Sequence, residues 1–323
     1  MRVFITGATG FIGQHLCRRL VERGDSVVAL VRSPSKASTL PGGVDTFSGD
    51  LSVFEDARTV LPESDVVIHL AGVIAAKEPS EYDRVNHLAV KNLVECLRRQ
   101  TWAPKRLVFA SSLAAAGPSD LGRPWTEADA PRPTEPYGMA KAKAETALRD
   151  APFPTTAFRP PLVLGPGDDS TFTFYRSAKW RLGFRVPGAL EELSIIDVRD
   201  LVDAIVLMAD DRRPGSFTYF TSHPATTNVR ELWREIGRAL DRIVLVPPVP
   251  KPALYATMLG MTALAKVIPF KNQLDEKQYD QIVAPAFACS SERLRSDLGW
   301  QPKHSLRETI TNAVKGYREQ GRL

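Results

Sequence analysis

Tyr137 and Lys141, a phenol and an ammonium four residues apart, have the spacing best suited to proton transfer in this 323-residue chain. In a helix this spacing places both side chains on one face, within reach of the same small region. A nearby ammonium lowers a phenol pKa from about 10 toward neutral pH, so Tyr137 could act as an acid or a base on a substrate oxygen. Ser111 and Ser112 follow the apolar run 106–110 and add hydroxyl groups at the end of a predicted strand. The pattern predicts an acid–base site.

A glycine-rich turn, Gly7-Ala8-Thr9-Gly10-Phe11-Ile12-Gly13, lies between an apolar run and a helical pattern. In that context Gly7 allows a tight turn, Gly10 lets backbone N–H groups approach a phosphate, and Gly13 lets the helix pack closely on the strand. The N-terminal end of the helix dipole favours the negative charge of a pyrophosphate. The motif therefore predicts that residues 7 and 9–13 hold a dinucleotide.

The end of the second predicted strand, 26–31, indicates which dinucleotide binds. An acidic residue there would hydrogen-bond the ribose 2′-hydroxyl, whereas a basic residue would bind a 2′-phosphate. Here Arg32 follows the strand and Lys36 lies close behind, with no carboxylate at that point. The sequence therefore favours NADP(H), with NAD(H) as the alternative.

The first half of the chain alternates short apolar runs, at 3–5, 26–31, 66–69 and 106–110, with segments of helical periodicity. Such alternation predicts an α/β fold, a Rossmann-type doubly wound parallel sheet with right-handed crossovers. Between the first two runs, apolar residues recur at helical spacing until Gly24, which is typical of a helix end. This segment is predicted to be one βαβ unit.

The amino-acid composition changes after Arg159-Pro160-Pro161, where glycine, proline and aromatic residues become frequent. A strand and a helix return at 193–208, another strand begins at Phe217, and an amphipathic helix covers 230–240. We therefore expect an NAD(P)-binding domain over 1–165, with the sheet rejoined by about 193–222. Residues 166–323 would form a smaller, discontinuous, mostly C-terminal α/β region that binds the substrate.

The formal net charge of +5 comes from 42 basic and 37 acidic residues spread through the whole sequence. A nucleic-acid-binding protein usually gathers its positive charge in one patch, so we expect no nucleic-acid partner. Cys17, Cys96 and Cys289 are odd in number and far apart, which favours reduced thiols and a cytoplasmic location. The first predicted strand begins at Arg2, which leaves no room for an export signal. The five histidines share no ligand spacing, so no metal site is expected.

An uncharged stretch rich in alanine, leucine and methionine lies between Lys251 and Lys266, within 252–268. It is shorter than the roughly 20 residues that span a bilayer, so no transmembrane segment is expected. A buried helix or a cover over an apolar substrate pocket would account for its composition. A helix that lies on a membrane surface is the alternative.

Taken together, these motifs resemble the extended short-chain dehydrogenase/reductase family over nearly the whole chain. Further matching segments are Gly-Asp-Leu at 49–51, His69-Leu70-Ala71-Gly72, Asn86, and Asp-Leu-Gly-Trp-Gln-Pro at 297–302. The resemblance implies that Asp50 and Leu51 hold the adenine and that Leu70, Ala71 and Gly72 line the nicotinamide ribose. It also implies that the cofactor is contacted by Pro160, Leu162 and Val163.

In the same family pattern Ser112, rather than Ser111, hydrogen-bonds the reacting oxygen. Tyr137 transfers the proton, and Lys141 tunes the tyrosine and holds the nicotinamide ribose. Members that dehydrate nucleotide sugars carry an acidic pair where this chain has Leu113-Ala114. Dehydration is therefore not expected.

Nucleotide-sugar epimerases of the family usually carry an asparagine where this chain has Leu162, and commonly Tyr-Gly where it has Ala116-Gly117. Segment 159–166 is instead similar to that of dihydroflavonol reductases and 3β-hydroxysteroid dehydrogenases, which act on apolar ketones and alcohols. We therefore expect an NADP(H)-dependent oxidoreductase that interconverts a secondary alcohol and a ketone on a mostly apolar small molecule. The alternatives are a nucleotide-sugar 4-epimerase and a non-catalytic cofactor-binding regulator.

The resemblance also implies a homodimer built by the helix after Asn86 and the helix that contains Tyr137. Support from the sequence is limited to apolar residues of the first helix, which are more numerous than one buried stripe needs. They are Leu88, Val90, Leu93, Val94 and Leu97.

Overall fold

Strands and helices alternate along most of the computed structural model, which describes residues 1–76, 78–267 and 278–323. In the described residues the strands are β1 (Arg2–Thr6), β2 (Ser26–Val31), β3 (Val44–Ser48), β4 (Val66–His69), β5 (Arg106–Ala110), β6 (Thr155–Arg159), β7 (Leu162–Leu164), β8 (Glu192–Leu193), β9 (Ile195–Asp197), β10 (Ser216–Phe220) and β11 (Ala286–Phe287). The helices there are α1 (Phe11–Glu22), α2 (Pro34–Ala37), α3 (Pro79–Tyr82), α4 (Ala89–Arg98), α5 (Pro136–Arg149), α6 (Phe172–Lys179), α7 (Val198–Asp210), α8 (Val229–Ala239), α9 (Lys251–Val267), α10 (Tyr279–Val283), α11 (Glu292–Leu298) and α12 (Leu306–Glu319). Short 3-10 turns lie at Leu51–Phe54 and Leu113–Ala115, and a π-helical turn at Asp83–Leu88.

Seven of these strands form one sheet in the order β3-β2-β1-β4-β5-β6-β10. Every neighbouring pair is parallel, because each connection crosses over the sheet instead of turning back. The four predicted apolar runs correspond to β1, β2, β4 and β5, so the predicted α/β fold is confirmed. The strand order reverses between β1 and β4, and this is the point at which a doubly wound sheet binds its ligand.

Helix α1 packs against the sheet in the predicted βαβ unit. Its residues Leu16, Cys17 and Leu20 are buried in the same apolar cluster as Val3 of β1. Gly24 follows the helix with a φ of +84°, a left-handed conformation that suits glycine at a helix C-terminus. The helix end predicted at Gly24 is confirmed.

The apolar side chains of α4 pack against other elements of the same chain. Val90, Leu93, Val94 and Leu97 are buried in a cluster with residues of β4, β5 and α5, whereas Leu88 in the preceding π-helical turn is exposed. Because these four residues pack on the sheet, they give no support to a dimer. The homodimer stays a prediction.

The chain leaves the sheet after β6 and returns to it at β10. Outside the sheet, β7 pairs with β9 and β8 with β11, both in parallel. A second apolar cluster forms around these short strands and the helices α6, α8 and α12. Its largest buried side chains include Tyr175, Trp233 and Tyr317.

Residues 297–302 fasten the C-terminal part to the main sheet. Trp300 is buried and donates from Nε1 to the Asp200 carbonyl oxygen at 3.1 Å. The Tyr219 hydroxyl on β10 donates to Asp297 at 2.8 Å. This segment therefore has a structural function, since it ties α11 to α7 and β10.

Helix α9 covers most of the uncharged stretch 252–268, of which Ile268 lies outside the described residues. Leu254 and Met258 are buried in a small cluster with Val186 and Ala189. Its other apolar side chains up to Leu264 are largely exposed, so the expectation of a buried helix is wrong for the outer face. In the part of the chain that the structure describes, no helix is long and apolar enough to cross a membrane.

Candidate active site

The predicted site residues follow the carboxyl ends of three adjacent strands. The glycine-rich turn follows β1, residues 70–72 follow β4, and Ser112 follows β5. Thr6 pairs with His69, and His69 pairs with Phe109, which brings the three loops side by side. The parallel arrangement therefore gathers residues that are up to 105 positions apart (7 to 112) at one edge of the sheet.

Two glycines of the turn stand where a side chain would collide with backbone. A Cβ on Gly7, which has a φ of +76°, would lie 2.6 Å from the Ala71 nitrogen. A Cβ on Gly13 would lie 2.2 Å from the Gly7 carbonyl oxygen. Gly10, the N-cap of α1, has no side chain to satisfy the first N–H groups, and the first turn holds no acidic residue. The turn fits a dinucleotide pyrophosphate, because free N–H groups and the helix dipole both favour negative charge there.

Basic side chains lie around the predicted adenosine end. Arg32 and Lys36 are exposed directly after β2. Asp50 accepts hydrogen bonds from the Ser52 nitrogen at 2.8 Å and the Ser52 hydroxyl at 2.6 Å. These bonds hold the pKa of Asp50 below its usual value, and Arg32 and Arg84 lower it further. Sequence reasoning missed Arg84, since only the folded π-helical turn brings it near Asp50.

Asn86 holds the loop after β4. It is fully buried on the π-helical turn, accepts a hydrogen bond from the Val73 nitrogen at 3.0 Å and donates to the Val73 carbonyl at 2.8 Å. A Cβ on Gly72 would lie 2.6 Å from Asn86 Oδ1 and 3.2 Å from Lys141 Nζ. The backbone at Gly72 thus approaches the Lys141 ammonium closely, and a larger residue would separate them.

Ser111 and Ser112 have different partners. The Ser111 hydroxyl donates to Glu145, whose carboxylate forms a buried ion pair with Arg159 at 2.9 and 2.6 Å. The Ser112 Oγ accepts from the Ala114 nitrogen at 3.1 Å, and the Ser112 hydroxyl lies near enough to the Tyr137 phenol to lower its pKa in part. The structure therefore brings Ser112, and not Ser111, to the phenol.

The ionisation of Tyr137 and Lys141 differs from the sequence-based expectation. Burial raises the pKa of Tyr137 to about 12, although the hydrogen bond from Ser112 lowers it in part. Burial also lowers the pKa of Lys141 to about 7. The Lys141 Nζ donates to the Ala110 carbonyl at 2.7 Å and lies 5.9 Å from the centroid of the Tyr137 ring. The expectation that Lys141 lowers the phenol pKa is wrong for this structure, because the ammonium is directed to a backbone oxygen.

Glu135 is a carboxyl group that sequence reasoning missed. It is buried two residues before Tyr137, and burial raises its pKa to about 7. Its charge would raise the Tyr137 pKa further. A glutamate directly before the proline that starts a helix has the pattern of an exposed cap, so nothing local in the sequence indicates its burial.

His69 is buried beside the same strand ends. Its Nδ1 hydrogen-bonds the Thr6 hydroxyl at 2.8 Å, and its ring stacks on Phe109 with centroids 5.9 Å apart. Burial lowers the pKa of His69 to about 3, so the ring is neutral. Its Nε2 has no hydrogen-bond partner among the described residues. Within the same residues, no group of three His, Cys, Asp or Glu side chains could hold a metal ion.

The segment 160–163, which the family resemblance places at the cofactor, is apolar. Leu162 and Val163 are half-buried in β7, and the Pro160 carbonyl accepts a hydrogen bond from the Leu113 nitrogen at 2.9 Å. Tyr137 and Leu162 both pack against the second apolar cluster. Leu162 offers no hydrogen bond to a diphosphate. The Tyr137 ring lies 6.1 Å from the ring of Tyr82, centroid to centroid, and near Glu135.

The chain is similar in sequence to a known family and to several known enzymes. Residues 3–218 match the sequence model of the NAD dependent epimerase/dehydratase family. A ceramide reductase of Caulobacter vibrioides (strain NA1000 / CB15N) is 31% identical, over 99% of this chain and 96% of that protein. The 3 beta-hydroxysteroid dehydrogenase type 7 of Homo sapiens is 29% identical, over 96% and 94%. A UDP-glucose 4-epimerase of Vibrio cholerae is 25% identical, over 98% and 95%.

Solved structures share the architecture. The complex of UDP-glucose 4-epimerase from Thermus thermophilus with NAD superposes with a TM-score of 0.77 at 24% identity. The match covers 98% of this chain and 99% of that one. At this identity the likeness shows the fold alone.

Proposed function

Since this chain belongs to the NAD dependent epimerase/dehydratase family, and so to the extended short-chain dehydrogenases/reductases, we propose that it reduces or oxidises an apolar small molecule. The reaction interconverts a secondary alcohol and a ketone, with NADP(H) as the cofactor. The observation that carries the proposal is the Ser112 hydroxyl beside the Tyr137 phenol, in a chain whose Leu162 is apolar where the epimerases of the family carry an asparagine.

In the proposed reaction Tyr137 and Ser112 have separate roles. Tyr137 gives a proton to the carbonyl oxygen in reduction and removes it from the alcohol in oxidation. Ser112 hydrogen-bonds the same oxygen and orients it toward the phenol. NADP(H), when bound, supplies or accepts the hydride.

Lys141 and the network behind it position the phenol. The Lys141 ammonium lies beside Gly72, at the end of the site where the nicotinamide ribose would be held. The ion pair of Arg159 with Glu145 and the bond from Ser111 fasten α5 to the ends of β5 and β6. This network keeps Tyr137 at a fixed distance from Ser112, which is what proton transfer needs.

The position of Arg32 supports a preference for NADP(H) over NAD(H) as the cofactor. It is exposed after β2, where a 2′-phosphate would lie, and no ion pair involves it within the described residues. Lys36 adds a second cation nearby.

The nucleotide-sugar 4-epimerase remains a second candidate because of the similarity to the Vibrio cholerae enzyme. In such a reaction Tyr137 and Ser112 would serve the oxidation and the re-reduction of one carbon. Leu162 disfavours it, because the site lacks an amide at that position. A non-catalytic regulator is disfavoured by the complete set of Ser112, Tyr137 and Lys141.

We also propose a cellular location, a class of substrate and an oligomeric state for the enzyme. Cys17, Cys96 and Cys289 are buried and unpaired, which supports a cytoplasmic location. A small molecule is the substrate, and a homodimer is the proposed assembly.

One assay separates the candidates. NADPH consumption is measured with aromatic, steroidal and β-keto carbonyl compounds, and the isomers formed from UDP-sugars are analysed in parallel. We expect NADPH oxidation with at least one apolar ketone and no change in the UDP-sugars. Interconversion of UDP-sugars without net NADPH use would overturn the proposal in favour of the epimerase.

A further inference from the structure

Four large apolar side chains are exposed on one part of the C-terminal region. Trp180, Leu182, Ile243 and Leu245 have exposed fractions of 75, 55, 82 and 64%. Leu182 and Leu245 pair in a parallel bridge, in which the Leu245 nitrogen donates to the Arg181 carbonyl at 2.9 Å. Ile243 precedes Leu245 by two residues and shares its face in an extended segment. These four residues are called the apolar patch.

The two segments that carry the apolar patch are strongly basic. Segments 170–190 and 229–251 contain nine basic and three acidic residues, a net charge of +6, whereas the whole chain has a net charge of +5. Positive charge is therefore concentrated here. The bridge between Leu182 and Leu245 brings the two segments side by side.

An arginine-lined groove adjoins the patch. Arg230, Arg234 and Arg238 recur every four residues along α8 and line an open groove together with Arg242, Ile243 and one carboxylate, Asp241. Arg234 and Arg238 form ion pairs with glutamates of the same helix. In the described part of the chain, no ion pair involves Arg230 or Arg242, so both are free to bind an anion. This feature is called the basic groove.

Helix α9 starts next to the same surface. The Val249 nitrogen donates to the Arg185 carbonyl at 2.7 Å, and the helix begins two residues later. Tyr255, Leu259 and Leu264 of this helix are exposed, and the Tyr255 ring also contacts that of Tyr279. The apolar patch is thus continued by an exposed apolar helix that carries no charge after Lys251 as far as Ala265.

We propose that this surface docks the protein on an anionic membrane. The apolar patch would insert among the lipid headgroups, and the basic groove would face lipid phosphates. Tryptophan beside arginine and lysine is typical of residues at a membrane interface, and anionic lipid attracts such cations. A nucleic acid would satisfy the arginines but would leave Ile243 and Leu245 in water. An anionic bilayer provides phosphates for the arginines and an apolar environment for the exposed apolar side chains.

The proposal goes beyond the reaction and does not depend on it. Membrane docking would bring the site to the phase in which apolar ketones and alcohols dissolve. A Tyr137→Phe variant is expected to bind vesicles as the wild type does, so a failure of either proposal would be seen separately.

The test is sedimentation of the full chain with vesicles of phosphatidylcholine alone and of phosphatidylcholine mixed with phosphatidylglycerol. We expect at least about tenfold stronger partitioning to the anionic vesicles, and a loss of this preference at high salt. Leu182→Glu with Leu245→Glu, and separately Arg230→Glu with Arg242→Glu, are each expected to weaken partitioning at least about tenfold. Matched controls are Val60→Glu, at a residue 77% exposed outside the patch, and Arg318→Glu on α12.

Several results would overturn the proposal. One is partitioning that the patch variants leave unchanged, and another is no preference for anionic vesicles. Binding to duplex DNA that only the arginine variants weaken would identify a nucleic acid as the partner. Self-association in light scattering that Leu245→Glu abolishes, without vesicle binding, would identify a second copy. Thermal unfolding of each variant checks the fold, and Ile243→Ser replaces any variant that fails this check.

Discussion

Ser111 and Ser112 are neighbours in the chain, but their hydroxyl groups have different surroundings: Ser111 donates a hydrogen bond to Glu145, whereas Ser112 accepts one from the Ala114 nitrogen and lies beside the Tyr137 phenol. The Ser111 bond is buried between the end of β5 and helix α5, and the Ser112 hydroxyl lies at the proposed position of the reacting oxygen. One serine is therefore a structural residue and the other is proposed to be catalytic.

Replacing each serine by alanine should separate these two functions. We expect Ser112→Ala to lower kcat at least about a hundredfold with little effect on unfolding, as for the loss of a donor to a reacting oxygen. Ser111→Ala should reduce the free energy of unfolding by about 1 to 3 kcal/mol, because the Glu145 carboxylate loses a buried partner. Urea unfolding and steady-state kinetics measure both. A larger loss of kcat in Ser111→Ala than in Ser112→Ala would contradict the assignment.

Tyr137→Phe removes only the transferable proton. We expect a loss of kcat of about a hundredfold or more, with NADP(H) affinity within a few-fold of the wild type. Lys141→Ala should reduce both kcat and cofactor affinity, since the ammonium lies beside Gly72 at the ribose end of the site. Fluorescence titration and initial rates test this. A Tyr137→Phe enzyme that keeps more than about a tenth of wild-type kcat would refute the role of the phenol.

Arg32→Asp should change the preference between the cofactors. Loss of a bond to a charged 2′-phosphate costs about 1.5 to 3 kcal/mol, or roughly tenfold or more in Kd for NADPH. NADH affinity should be nearly unchanged. Arg318→Asp, at an exposed arginine of α12, is the control. An unaltered ratio of NADPH to NADH affinity in calorimetric titration would show that Arg32 does not contact the cofactor.

Glu135 should make stability fall as pH rises. Burial raises its pKa from 4.5 to about 7, so between these values the folded protein keeps a proton that the unfolded chain has lost. The free energy of unfolding therefore decreases as pH rises from 4.5 toward 7, by on the order of 3 kcal/mol, and this loss levels off above pH 7.

Glu135→Gln should remove this dependence, because an amide does not titrate. Urea unfolding at pH 5 and pH 8 compares the wild type, Glu135→Gln and the exposed control Glu63→Gln. We expect the wild type to lose stability relative to Glu135→Gln at pH 8. Curves that stay parallel across this range would mean that Glu135 is already ionised at pH 5.

The proposed homodimer predicts a dimer mass in light scattering at micromolar concentration. Leu88 and Met139 are the apolar side chains that stay exposed on the two helical segments concerned. Leu88→Glu with Met139→Glu should then yield monomers. A monomer mass for the wild type would remove the dimer without affecting the proposed reaction, because each site lies within one chain.

The parts of this molecule that could be predicted from sequence are those with a local signal. The runs of β1 and β2, the helix end at Gly24 and the spacing of Tyr137 and Lys141 depend on residues close in the chain. Strand β3 was not predicted, because none of its side chains is fully buried and its sequence, with Asp45, Thr46 and Ser48, contains no apolar run. The Ser111, Glu145 and Arg159 network was also not predicted, since its members come from three different elements. The ionisation of Lys141 depends on burial, which lowers its pKa, and on the charge of Glu145, which raises it, and only the folded chain provides both.

Strand β10 completes the sheet from a point 57 positions beyond the end of β6 (159 to 216), after the chain has built most of its second cluster. A fragment that stopped at residue 165 would therefore leave β6 as an unprotected edge strand, with all five of its residues normally buried. Such a fragment should aggregate. A chimera that grafts a foreign substrate region onto this nucleotide-binding half must also supply a strand to occupy the place of β10.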